Sequence, residues 1–286
     1  MIVQRRGCFV TDRLAPIVVG VDGSAAGCGA LRWAADEAVR YERWLKVVYA
    51  GPARSPHCGP EHGPAAEAVT LARAEHRTLE VQTSVEFGAA GPVLCEAAKD
   101  AARLVVASHG AAHVNDRKVG VGGELGSTST YLAMHAPCPL LLVHEAERWA
   151  RTDAPLPRSG AVVAGVDDSI ASYRALRLAF GEAAVRRVPL LAVRVLPEHT
   201  SLSEQTGQAM ALGEDVTLWH PVFPDVRTDT SVVLGDPATV LLEAARSALM
   251  VVVGARGTDR IAGVRLGSVT QRLLLGCGCP VLVAHN

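Results

Sequence analysis

Lysine is nearly missing from this chain. Lys46, Lys99 and Lys118 are the three among 286 residues, and none follows Lys118, so the basic charge is almost all arginine. A Walker-type phosphate loop requires a lysine, which counts against such a site in the second half. Net charge is missing too. The formal value is −1, so no global field draws the chain to nucleic acid or to an anionic membrane. No CxxC pair occurs among the seven cysteines, Cys8, Cys28, Cys58, Cys95, Cys138, Cys277 and Cys279. That odd, scattered set fits reduced cytosolic thiols better than a disulfide framework. No apolar run approaches the ~20 residues of a membrane span, and the N-terminus has no signal-peptide core. These absences together predict a soluble, cytoplasmic protein with a short disordered start, residues 1–15.

What is present is a sequence written twice. "PIVVGVDGSAAGCGALRWAADEA" from Pro16 matches "AVVAGVDDSIASYRALRLAFGEA" from Ala161, so that Asp22 aligns with Asp167. "SVEFGAAGPVLCEAA" from Ser84 matches "SVVLGDPATVLLEAA" from Ser231, and "CPLLLVH" from Cys138 matches "CPVLVAH" from Cys279. Three blocks in the same order, each displaced by about 145 residues, make a tandem duplication. The period is domain-sized, which predicts one domain over residues 16–144 and a second over 161–286. The intervening "EAERWARTDAPLPRSG", residues 145–160, is polar and proline-bearing and reads as a linker. With 49% hydrophobic residues, each unit has enough apolar surface for its own core.

Each copy alternates short apolar runs with helical patterns. In the second copy, strands are expected at 161–167, 190–195, 228–234, 249–253 and 280–284, and helices after Ser169, over 237–247 and over 268–275. Ser169 is placed to cap the helix that carries Ala175, Leu176, Ala179 and Phe180 at helical spacing. Strands apolar on both faces and alternating with helices imply a doubly wound α/β fold, a parallel sheet covered on two sides. In such a sheet a ligand lies beyond the carboxyl ends of the strands, where the strand order reverses. A strand order of 3-2-1-4-5 sets Asp167, at the end of the first strand, across from the loop that begins at Gly254.

That loop is "VVVGARGTDRIAGVRLGSVTQRLLL", from Val251. Gly254 and Gly257 let backbone approach a ligand without a Cβ, and take positive φ where needed. Gly267 and Ser268 open a helix, whose first N–H groups, with that of Val269, attract an anion. Arg256, Arg260 and Arg265 against Asp259 give the loop a net +2. The pattern suits a polyphosphate, and Asp167 suits a ribose hydroxyl or an adenine amino group. Each element alone also fits a surface turn or a plain helix cap; their combination at one strand end is what points to a nucleotide.

Gly254-x2-Gly257-x9-Gly267-Ser268 resembles the ATP-binding signature of universal stress proteins, as do "VVAGVD", "IVVGVDGS" and the closing "CPVLVAH". The resemblance spans both repeats. It implies a flavodoxin-like, adenine-nucleotide-hydrolase-like fold of five parallel strands per repeat. It also implies a pseudo-dimer within one chain, the last strands of the copies meeting, with a further homodimer open. Some members of the family bind ATP and some do not. By position, Asp167 and the backbone of Val195 contact the adenosine part, Gly254, Arg256 and Gly257 line ribose and phosphates, and Gly267, Ser268 and Val269 hold the phosphate chain of ATP, alone or with Mg2+. The first copy departs from the pattern. It keeps Asp22, Gly110, Gly126 and Ser127, but Ala107 stands in place of Gly254. Fifteen residues, including "KVGVGGE", separate Gly110 from Gly126, and Arg117 and Lys118 there are cancelled by Asp116 and Glu124. A longer, uncharged loop costs more to order, so the second copy is the expected main site. Asp168, where the first copy has Gly23, is a repulsive feature of that site.

Other constellations are weaker. "HCGPEH", residues 57–62, holds potential metal ligands but nothing that completes a site. His109 and His113 flank the first glycine loop. Cys277-x-Cys279 hints at redox chemistry, and Cys138 and Cys279 are repeat-equivalent. Glu182 and Glu243 read as solvated helix charges. No Ser-His-Asp order, no base set against a γ-phosphate and no second Mg2+-holding acid is apparent. The sequence therefore favours a regulatory module that holds ATP without efficient turnover. A slow ATPase or nucleotidyl-transfer enzyme, and a nucleotide-free interaction scaffold, are the alternatives.

Overall fold

A computed structural model describes residues 14–51, 63–110, 125–144, 146–150, 155–257 and 266–285. The N-terminal half runs β1 (Ile17–Val21), α1 (Ala25–Arg40), β2 (Leu45–Gly51), α2 (Pro64–Glu75), β3 (Val81–Phe87), α3 (Ala90–Ala97), β4 (Arg103–Ala107), α4 (Ser127–His135) and β5 (Leu140–Val143). The C-terminal half repeats this as β6 (Val162–Gly165), α5 (Ile170–Arg186), β7 (Leu190–Leu196), α6 (Leu202–Thr217), β8 (Thr228–Leu234), α7 (Pro237–Ala245), β9 (Met250–Gly254), α8 (Ser268–Gly276) and β10 (Val281–Ala284).

All ten strands form one sheet in the order β3-β2-β1-β4-β5-β10-β9-β6-β7-β8. Each half has the expected 3-2-1-4-5 order, and its strands are parallel. The halves join where β5 and β10 pair antiparallel, with Leu141 opposite Leu282. The last strands of the two copies therefore meet, and the chain is its own pseudo-dimer. Both sheet faces are apolar because both are covered. One core, with Trp33 and Phe180, lies under α1, α2, α5 and α6; the other, with Leu132 and Leu273, lies under α3, α4, α7 and α8. Each of these fully buried side chains contributes roughly 1.5–3 kcal/mol, and each core runs across both halves.

Local sequence fixes the helix starts. The Ser24 and Ser169 hydroxyls accept from the amides of Gly27 and Ser172 at the head of α1 and α5. Asp236 caps α7 through the Thr239 amide, and Ser201 with Glu204 forms a reciprocal box on α6. The sequence reading assigned no helix between the second and third strands of the second copy; α6 occupies that gap. The expected helix over 237–247 ends earlier, at Ala245, and the expected strand at 249–253 runs from Met250 to Gly254.

The segment between the repeats, read as a linker, is held in part against the first half. Ala146 opens a short 3-10 turn, Ala146–Trp149, and is buried, while the Arg32 guanidinium donates to the Trp149 carbonyl at 2.7 Å. Glu182 is not a solvated charge: it is 0% exposed, as is its repeat-equivalent Glu37. Arg103 on β4 donates to both carboxylates, reaching Glu182 at 2.5 Å. Arg186 on α5 also donates to both, and the Tyr41 hydroxyl donates to Glu182 at 2.7 Å. The helical pattern could not reveal this, because one of the two arginines on each glutamate belongs to the opposite half. Glu243 is exposed and pairs with Arg246, as expected of a surface charge.

Candidate functional site

In each half an aspartate follows the first strand, Asp22 after β1 and Asp167 after β6, and the fourth strand lies beside the first with a glycine loop at the same end. β6 pairs with both β7 and β9, and β1 with both β2 and β4. Asp167 Oδ1 accepts from the Ser169 amide at 2.9 Å, and Asp22 Oδ1 accepts from the Ser24 amide at 3.0 Å. The other carboxylate oxygen faces the loop. A Cβ built on Gly257 would sit 2.6 Å from Asp167 Oδ2, and one on Gly110 would collide with Asp22 Oδ2. Aspartate and glycine loop thus share one rim in both halves.

The loops also close alike. The Gly267 amide donates to the Ala255 carbonyl at 2.8 Å, and the Gly126 amide donates to the Ser108 carbonyl at 3.0 Å. Thr270 Oγ1 donates to the Gly254 carbonyl at 2.7 Å, as Ser129 Oγ does to that of Ala107 at 2.8 Å. Gly267 and Gly126 are the N-caps of α8 and α4, and neither helix has a side-chain cap. The amides of Ser268 and Val269, or of Ser127 and Thr128, are then the first-turn donors that an anion would meet. The Gly267 amide, expected among those donors, is already engaged within the loop.

The glycines serve space rather than unusual torsions. None of Gly110, Gly126, Gly254, Gly257 and Gly267 has positive φ; Gly23 and Gly235 do. Gly254 has a packing role: a Cβ there would come 2.7 Å from Ala171 Cβ on α5. Arg256 is exposed at the rim, and its carbonyl faces the Ser169 hydroxyl at 3.5 Å. Val195, near the end of β7, is half-buried.

The site includes a residue that sequence reading passed over. Arg194 on β7 is buried and reaches the Asp168 carboxylate at 3.3 Å, as well as Asp215 at 3.0 Å. Asp168, read from sequence as a bare repulsive charge, has a guanidinium beside it. The signal was an arginine inside an otherwise apolar strand, "LLAVRVL". The N-terminal crevice holds a cavity of about 180 Å³, walled by Asp22, Ala50, His109, Gly110 and Ser127 among others. His109 Nδ1 lies 3.0 Å from Ser108 Oγ.

Several expected features fall outside the described residues: Asp259, Arg260 and Arg265 of the second loop, Asp116, Arg117, Lys118, Glu124 and the "KVGVGGE" insert of the first, His113, and the 57–62 cluster. Among the described residues no cluster of His, Cys, Asp and Glu could hold a metal ion, and no helix is long and apolar enough to cross a membrane.

An aspartate facing a glycine loop and an uncapped helix start, at the carboxyl edge of a parallel sheet, mark the place where doubly wound α/β proteins take their ligands. A profile of the universal stress protein family matches residues 14–144 and 160–285. A universal stress protein of Mycolicibacterium smegmatis is 34% identical over 297 residues, covering 94% of this chain and 96% of that protein. One of Mycobacterium tuberculosis is 32% identical over 296 residues, covering 94% and 96%. The crystal structure of a universal stress protein from Archaeoglobus fulgidus DSM 4304 superimposes with a TM-score of 0.65 over 94% of this chain and 97% of that one, at 12% identity, a likeness of fold. The chain belongs to the universal stress protein family, as a tandem member with two copies of the unit.

Proposed function

We propose that this chain binds an adenine nucleotide, ATP, at its strand-end crevices and acts as a cytoplasmic regulatory module whose state follows occupancy, without efficient turnover. The observation that carries the reading is Asp167 Oδ2 set against Gly257 beside the uncapped start of α8. The residues fit the ligand. The carboxylate accepts from ribose or base, the Ser268 and Val269 amides donate to phosphate, and Arg256 supplies charge at the rim. Each charge-assisted hydrogen bond to phosphate contributes roughly 1.5–3 kcal/mol. The C-terminal half is the main site on this reading, because Arg256 stands where the other half has His109, and Arg194 offsets Asp168. Mg2+, where it accompanies ATP, would draw its ligands chiefly from the phosphates and water.

A second reading, that the N-terminal half is occupied as well, is favoured by the cavity that Asp22, Gly110 and Ser127 wall there. Equilibrium dialysis of the purified chain against labelled ATP tests both readings. The expected result is retained, unhydrolysed ATP at one tight site and one weaker one. Accumulating ADP would make the chain an ATPase, and no retention would leave an interaction scaffold.

A further inference from the structure

The loop between α8 and β10 carries chemistry that nucleotide binding does not use. α8 ends at Gly276, Cys277 is its C-cap, and Cys279 lies two residues before β10 begins. The turn through Gly278 brings the two Sγ atoms to 3.5 Å, and both thiols are buried. We propose that Cys277 and Cys279 form a redox site, closing to an intramolecular disulfide on reaction with a hydroperoxide.

Three observations support it. First, the sulfurs need to approach by only about 1.5 Å to reach bonding distance. Gly278, exposed and with no atom near its missing Cβ, leaves the turn room to tighten. Second, Gly276, Gly278 and Cys279 line a groove of about 560 Å³ that also includes Trp149 and Arg148, which brings a small oxidant as far as Cys279, across the turn from Cys277. Third, the pair is electronically unequal. The hydrogen bond from Cys279 draws the Cys277 thiol below the usual range, against the opposing effect of burial. The same hydrogen bond and burial push Cys279 far up. The thiolate is the reactive form, so Cys277 is the attacking sulfur.

The chemistry balances. The Cys277 thiolate attacks one peroxide oxygen and breaks the O–O bond. The other oxygen leaves with the proton from Cys277, as water or an alcohol, and a sulfenic acid remains. Cys279 attacks that sulfur, the S–S bond forms, and the hydroxyl leaves as water with the Cys279 proton. Two thiols lose two electrons and the peroxide gains them.

The other half provides an internal control. Ala136 stands where Cys277 stands, so Cys138, the counterpart of Cys279, has no neighbouring thiol across the turn. Burial pushes the Cys138 thiol up to about 12.

The test uses the reduced full chain exposed to hydrogen peroxide, quenched in acid, and labelled with N-ethylmaleimide in denaturant before peptide mass spectrometry. The expected result is that the peptide with Cys277 and Cys279 loses both labels and two hydrogens, that dithiothreitol restores both labels, and that Cys138 stays labelled. In Cys279→Ser, Cys277 should be trapped as a dimedone adduct. A wild-type peptide that keeps both labels, gains oxygen instead of losing hydrogen, or links to Cys138 overturns the proposal. None of these readouts depends on nucleotide.

Discussion

The two halves share a backbone plan and differ in what lines it. Asp22 and Asp167, Gly110 and Gly257, Gly126 and Gly267, and the loop-closing hydrogen bonds all correspond. The walls do not. Gly27, Ala50, Thr128 and His109 of the first crevice become Ser172, Val195, Val269 and Arg256 in the second. The first crevice has the smaller walls, and the second has the permanent charge. Duplication thus preserved the parts that set backbone geometry and left side-chain volume and charge to diverge. The junction shows the same division. Glu37 and Glu182 correspond, but the arginines that satisfy them, Arg103 and Arg186, align with Met250 and Tyr41. Two equivalent acids are answered by two non-equivalent bases, one from each half.

The largest expected effect lies at that junction. Removing one member of a buried ion network leaves its partners uncompensated, at a cost of roughly 3–5 kcal/mol. Glu182→Ala and Glu37→Ala should each lower unfolding stability by about that amount in urea titrations, and by similar amounts because both acids touch both arginines. Glu243→Ala, on the surface, should stay within about 0.5 kcal/mol. A tolerated Glu37→Ala beside a disabling Glu182→Ala would show that the network is not shared evenly between the halves.

Next is the nucleotide. Gly257→Val pushes a branched side chain against Asp167 and should weaken ATP affinity by roughly tenfold or more, the equivalent of one charge-assisted hydrogen bond. Gly110→Val makes the same collision with Asp22 but should cost less of the total binding, since His109 replaces Arg256. Dialysis of both variants checks this. Equal losses, or a larger one at Gly110, would reverse the ranking of the halves and make wall volume, not charge, the deciding property.

A smaller effect should follow from Arg194→Gln, which takes the guanidinium from Asp168. ATP affinity of the C-terminal crevice should fall several-fold through carboxylate–phosphate repulsion, estimated as a surface-type charge interaction of about 1 kcal/mol. Adding Asp168→Asn should restore it. Failure of that rescue would mean that Arg194 acts through Asp215 and Gln208, holding α6 in place.

What was legible in the sequence follows from how far each feature reaches. The duplication, the strand order and the facing of Asp167 and Gly257 rest on periodicity and on the handedness of the fold, which short stretches encode. α6 was missed although Ser201 and Glu204 announce its start, because its face offers few apolar positions; Leu212 and Val216 are its buried residues. Glu182 was misread because its burial depends on a half more than a hundred residues away. Arg194 was missed for a like reason: its two partners, Asp215 on α6 and Asp168 in the loop before α5, are brought to it only by the fold. His144 and His285 closed the two repeat blocks, yet only the folded chain shows what they do. Each ring reaches across the junction, Nε2 of His144 lying 2.8 Å from the Leu274 carbonyl and that of His285 lying 2.9 Å from the Ala133 carbonyl.

The smallest effect concerns that histidine pair. Burial lowers the pKa of His285, the backbone carbonyls of Ala133 and Val283 oppose the shift, and the Arg256 guanidinium adds to it. A histidine that resists protonation when folded but accepts a proton near 6.5 when unfolded makes the unfolded state the greater proton binder. Stability should therefore fall as pH drops below about 6.5, and go on falling until the lower folded pKa is reached, with no loss from this source above neutrality. His285→Gln should flatten that part of the profile in denaturant titrations from pH 7 to pH 5. Arg256→Met should raise the His285 titration midpoint, read from its ring-proton NMR signals, because the second half alone places a permanent cation there. An unchanged midpoint would remove Arg256 from the neighbourhood of the junction and, with it, one of the two charge differences on which the ranking of the crevices stands.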